Sequence, residues 1–248
     1  MIWINKKDIP DILVKHQTVW TGNLMDAVDT HKGYNKIPKK LKEKLTAHYR
    51  HEDIQKALFE SSHDKCAFCE CKPGQSGNRE VEHFEPKSLY PNKTFDWDNL
   101  LPACRKCNEA KGDFDTRTFP IVNPTEEDPE LILTYNFLEM IPVPGTKDVK
   151  KVDDTIRVCN LNSPRLYSAR ADIMKSVAEY MDELREKIKL IEEADTKRKK
   201  SIRMNSLNNS LEKIDVLMQN DSAFSGYSKW LILKYPEYEK AQNILKNR

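Results

Sequence analysis

Two cysteine pairs constrain this chain more than any other feature: Cys66-Ala67-Phe68-Cys69 and Cys104-Arg105-Lys106-Cys107. Each C-x2-C turn gathers two thiols on one side of a tight loop, and two such turns supply the four soft ligands of a closed tetrahedral zinc site. A redox or incidental cysteine cluster is the rival reading. The N-terminus, Met-Ile-Trp-Ile-Asn-Lys-Lys, lacks the layout of a secretory leader, so a cytoplasmic location with reduced thiols is expected, and this favours metal. The 34 residues between the pairs exceed the ~15–20 of a simple zinc ribbon, so something folded must be inserted between the knuckles.

Composition narrows the classes further. Lys plus Arg total 41 against 39 Asp plus Glu, so the net charge of +2 gives no global attraction to a polyanion and any nucleic-acid footprint must be local. With 7 Gly and 13 Pro in 248 residues, collagen-like and low-complexity chains are excluded. No stretch approaches the ~18 apolar residues of a membrane-spanning helix, so no membrane partner is expected.

Three zones follow from punctuation and periodicity. Residues 1–62 read as an N-terminal helical segment. A polar stretch runs up to Asn35, and two helices follow from Pro38 through Leu41, Leu45, His48 and Tyr49, then Ile54, Ala57 and Leu58. Residues 63–125 are crowded with Pro and Gly and leave room only for short elements: a strand at Arg79–Phe84, a second extended piece after Asn99, and a helix at Cys104–Lys111 stopped by Gly112. Residues 126–248 read as mostly helical and as a possible partner-docking region. Ser163-Pro164 starts a helix with Ile173, Val177, Met181, Leu184, Ile188 and Ile191 on one face, Thr196–Met218 forms another, and Ser225-Gly226 breaks the chain.

Between and beside the knuckles stand Glu82-His83, Asn99-Leu100, Asn108 and Lys111. Taken in order with the two C-x2-C pairs, this run resembles the zinc-knuckled HNH endonucleases. The strings Pro10-Asp11-Ile12-Leu13, Val81 through Ser88, Ile121-Val122-Asn123-Pro124 and Leu161-Asn162 resemble one subfamily, the HNH effector found beside an ATPase in Septu-type and retron-associated anti-phage systems. The resemblance implies an α+β fold, with a small ββα-metal core and treble-clef zinc site inside a mainly α-helical shell. It also implies a metal-dependent endonuclease acting on DNA or RNA, with an ATPase partner.

The residues suit that chemistry. Phosphodiester hydrolysis needs a base for water and a cation for the developing charge. His83 is the expected base, and Glu82 an expected ligand of Mg²⁺ or Mn²⁺. Adjacent strand residues face opposite ways, so a bend toward Pro86 is expected to turn both inward. By the family pattern Asn108 is the second metal ligand and Asn99 braces the loop before the helix. Cys66, Cys69, Cys104 and Cys107 then hold structural Zn²⁺. Two departures stand out: Glu82 occupies a place usually taken by Asp, and Asn108 one where many relatives carry His. Lys87, Arg105, Lys106 and Lys111 are expected phosphate contacts.

Other candidates have plainer readings. His48, His51 and His63 read as solvated helix positions, Cys71 as a bystander to a closed four-ligand site, and the lysines of 32–44 and 197–200 as solvated faces. Two alternative functions remain: a restriction or mobile-element HNH nuclease, which would need a sequence-reading helix, and a non-catalytic zinc-dependent nucleic-acid-binding module. Against the latter stands the combination of a base with two metal ligands.

Overall fold

Pro10 fixes the backbone ahead of the first helix, α1 (Asp11–Thr30), in a computed structural model that describes residues 1–76 and 78–246. The reading of residues up to Asn35 as a polar stretch is thereby corrected. The cause is a very thin apolar stripe: only Leu13 and Leu24 of this 20-residue helix are buried, three turns apart. Pro38 caps α2 (Lys39–Thr46) and His51 caps α3 (Glu52–Ser61), its Nδ1 accepting from Asp53 N. Strands β1 (Arg79–His83) and β2 (Leu100–Cys104) pair antiparallel with Glu82 opposite Leu101 and His83 opposite Leu100. Helix α4 (Arg105–Lys111) leaves β2 directly and ends at Gly112, whose φ of +50° is a left-handed stop that glycine adopts without strain. Ile54, Leu58, Phe95 and Leu100 are fully buried in the core shared by these elements.

The chain forms two compact units, Met1–Thr134 with Met140–Asn162, and Tyr135–Glu139 with Ser163–Arg248. Residues 1–125 thus lie in one unit, where composition suggested two zones. The zone read as mostly helical holds a two-stranded sheet, β3 (Leu133–Asn136) and β4 (Glu139–Pro142), and α5 (Val149–Val158) before its long helices begin.

In the second unit, α6 (Pro164–Glu192) and α7 (Lys197–Met218) start where Ser163-Pro164 and Thr196 predict, the Thr196 hydroxyl accepting from Lys199 N. Ser225-Gly226 does not break the chain. It opens α8 (Ser225–Ile232), and the turn falls at Phe224, whose φ is +55°. Helix α9 (Pro236–Lys246) completes the set. Val177, Met181, Leu184, Ile188 and Ile191 of α6 are buried against Leu207, Leu211 and Ile214 of α7 and Ile232 of α8. The stripe on α6 is therefore the core of its own bundle, not a free docking face. Among the described residues, no helix is long and apolar enough to cross a membrane.

Leu184 is fully buried whereas Leu190, on the same helix, is 44% exposed. Leu184→Ala is expected to lower stability by about 2–5 kcal/mol in chemical denaturation, and Leu190→Ala by less than about 0.5 kcal/mol.

Candidate active site and metal centre

The first knuckle follows α3, where Asp64 N reaches back to Phe59 O at 2.7 Å and Cys66 N bonds Cys71 O at 2.9 Å. Ala67 N donates to Pro102 O at 2.8 Å, which ties the knuckle to the middle of β2. Cys104 ends β2 and Cys107 lies in α4, so the second knuckle straddles a strand-to-helix junction. The four sulfurs of Cys66, Cys69, Cys104 and Cys107 lie within 4.8 Å of one another, all buried. Burial pushes the Cys66 thiol well up from its ordinary value, so gathering four thiolates here without a cation is unfavourable. The donor set fits zinc. Cys71 is half-buried beside it, its thiol interacting with those of Cys104, Cys66 and Cys69. Lys65 and Glu70 bracket the knuckle and face each other at 3.4 Å in the interior.

His83, at the end of β1, is 4% exposed. Its Nε2 donates to Thr94 O at 2.9 Å. A carbonyl only accepts, so the proton sits on Nε2 and Nδ1 keeps its lone pair. Burial, with the charges of Lys87, Lys111 and Arg50 helping, brings the imidazole down to about 3 against the pull of the Thr94 carbonyl, and the ring is neutral at pH 7. Tyr49 meets the ring edge to face, the centroids 4.6 Å apart.

Glu82 is buried with Lys111 Nζ 2.6 Å from Oε1. The ammonium is close but not aligned to donate to that oxygen, which has no hydrogen bond. Burial outweighs the attraction of Lys111 and pushes the carboxyl up to about 7. Lys111 donates instead to His83 O at 3.0 Å. Its side chain is wholly buried, so the expectation of a phosphate contact at Lys111 is corrected: the ammonium neutralises Glu82 and holds the end of β1. The anticipated bend is absent too. β1 stays paired through His83, and the two side chains diverge, Glu82 toward Lys111 and His83 toward Thr94 and Tyr49.

Asn108 Nδ2 donates to Glu80 Oε2 at 2.6 Å. Because a carboxylate only accepts, this fixes the amide with Oδ1 turned away from Glu80, available as a hard oxygen donor. Asn99 is buried and clamps the β1–β2 loop: Nδ2 donates to Glu85 O and Lys93 O, both at 3.0 Å, and Oδ1 accepts from Glu85 N at 2.7 Å. Arg105 and Lys106 are exposed and share Glu109, at 2.7 and 3.2 Å. Lys87 is half-buried with Nζ 5.4 Å from the Tyr49 ring centroid. Exposed His48 stacks on Trp20 at 4.5 Å, and His63 is exposed.

Sequence reasoning missed three groups here. Thr94 contributes only a backbone carbonyl, which any residue type supplies. Glu80 acts through Asn108, 28 residues away, and Tyr49 was visible only as an apolar position on a helix.

Purified protein is expected to carry one zinc per chain by elemental analysis, and Cys104→Ser to lose it together with cooperative unfolding. Asn99→Ala should cost about 1–3 kcal/mol, because it strips partners from three loop backbone groups.

Residues 66–114 match the family model described as HNH endonuclease. A 77-residue segment, 31% of the chain, is 49% identical to Septu protein PtuB of Bacillus thuringiensis and covers 30% of that protein. Another match, over 159 residues, is 25% identical to Septu protein PtuB of Bacillus mycoides (strain KBAB4), covering 52% of this chain and 53% of that one. The chain thus spans from under a third to about half the length of these relatives. With the knuckles, the antiparallel pair and the helix that follows it, residues 66–114 form an HNH endonuclease domain, in a chain similar over the matched segments to the Septu PtuB proteins.

Proposed function

We propose that this chain is a metal-dependent endonuclease that hydrolyses phosphodiester bonds in DNA or RNA. The observation that supports it most is His83: a neutral imidazole, its proton held on Nε2 by Thr94 O, next in sequence to a buried carboxylate with an unbonded oxygen. Nδ1 takes the proton of an attacking water. Glu82 and the Oδ1 of Asn108 are hard oxygen donors that would hold Mg²⁺ or Mn²⁺, which when bound supplies charge stabilisation at the phosphate and the leaving oxygen. Glu80 keeps Asn108 in the ligating orientation, and Asn99 holds the loop that carries Thr94. Zn²⁺ on the four cysteines has a structural role, fixing α4 and hence Asn108.

The biological setting rests on the resemblance to Septu-type effectors and on the names of the two relatives. On that basis the chain is the nuclease of an anti-phage defence system, cytoplasmic, restrained and licensed by an ATPase partner. Failure of the two proteins to co-purify would count against the partner.

In cleavage assays on plasmid DNA and total RNA with Mg²⁺ or Mn²⁺, alone and with the neighbouring ATPase, His83→Ala is expected to lose about 10²–10⁴-fold in rate while retaining zinc. Equal inertness of wild type and variant under every condition, with zinc bound, would shift the assignment to a non-catalytic binding module.

A further inference from the structure

The cations around the HNH domain fall into two groups. Most are neutralised: Lys111 by Glu82, Arg105 and Lys106 by Glu109, Arg79 by Asp64, Lys93 by Asp96, and Arg117 by Glu85. Arg50 and Lys87 are different. Among the described residues neither has a carboxylate within ion-pair distance, and both stand against one aromatic ring, that of Tyr49. The Arg50 guanidinium lies 5.0 Å from its centroid and Lys87 Nζ 5.4 Å. The same ring packs on His83 at 4.6 Å.

We propose that Arg50, with Lys87 beside it, binds a backbone phosphate of the nucleic-acid substrate and so sets the strand against His83. The inference deepens the nuclease reading and rests on it. Three features carry it. The guanidinium is exposed and held in place before any ligand arrives, because Nε donates to Tyr49 Oη at 3.1 Å and the plane lies on the ring. That bond uses one of five donors and leaves others for a phosphate, which the planar fork fits bidentately. Finally, two unpaired positive charges next to a neutral imidazole make a local field that attracts an anion, which the chain's near-zero net charge does not. Arg50 is thus a substrate-positioning residue, and the paired Arg105, Lys106 and Lys111 are secondary to it. No motif in the sequence signals it, since it lies 33 residues before His83.

The test uses the intact zinc-loaded chain carrying His83→Ala, so that substrate survives, with fluorescently labelled duplex DNA and RNA titrated across a salt series. Adding Arg50→Ala is expected to weaken binding about 5- to 20-fold and to reduce the log–log salt slope by about one, the signature of one lost phosphate contact. Arg50→Lys should restore the slope but only part of the affinity, because the fork is gone. Removing one solvated charge on α1 with Lys15→Ala should leave both within error. An unchanged affinity and slope in Arg50→Ala, with the parent binding normally, would overturn the proposal and leave the nuclease reading intact. If Arg50→Ala fails to retain zinc, Arg50→Lys decides, and parent-like affinity overturns it. Absence of binding of DNA and RNA by the parent would remove both readings.

Discussion

Four buried thiols that need a cation are the constraint from which the rest of the nuclease domain is built. The second pair spans the junction of β2 and α4, while the first is hydrogen-bonded to Pro102 in β2, so closing the cluster sets strand, helix and loop together. A two-stranded sheet with a 7-residue helix is too small to be stable alone. Metal ligation and the packing of α1 and α3 against the same strands supply what its own core lacks.

Inside that frame, burial and charge are set against each other. Glu82 is held in the interior by a single ammonium that satisfies its charge but not the hydrogen bonding of Oε1, which is why its proton affinity rises despite an opposite charge at 2.6 Å. His83 is pushed the other way by burial and by three nearby cations. The environment thus pushes an acid up and a base down, the separation of roles expected where two adjacent groups do different chemical work. Asn108 is oriented in the same economical way, by a carboxylate that accepts from only one end of the amide.

Electrostatics also sorts the basic residues. A lysine count near the motif is a poor guide to phosphate binding, because a surface cation beside a carboxylate is already neutralised. Arg105, Lys106 and Lys111 are in that condition, and each partner is too far along the chain or too ordinary in sequence to be read as such beforehand.

The sequence by itself determined the zinc knuckles, the helix after the second of them, the starts of α6 and α7, and the candidacy of Glu82, His83, Asn99 and Asn108. All of these are local signals: ligand spacing, a capping residue, a proline at the first helical turn, a periodic stripe, a short motif. What it left out was decided by tertiary packing. α1 was illegible because two buried leucines in 20 residues make no periodicity, and it is a helix because the core beneath it needs only that narrow contact. The regular course of β1 through His83, which parts Glu82 from His83, follows from pairing with a strand 17 residues away. Whether Lys111 faces solvent or Glu82, and whether Arg50 stands near His83 at all, depends on where separate segments meet. Local sequence carries turn and helix preferences, but charge pairing and desolvation exist only once those segments have been brought together.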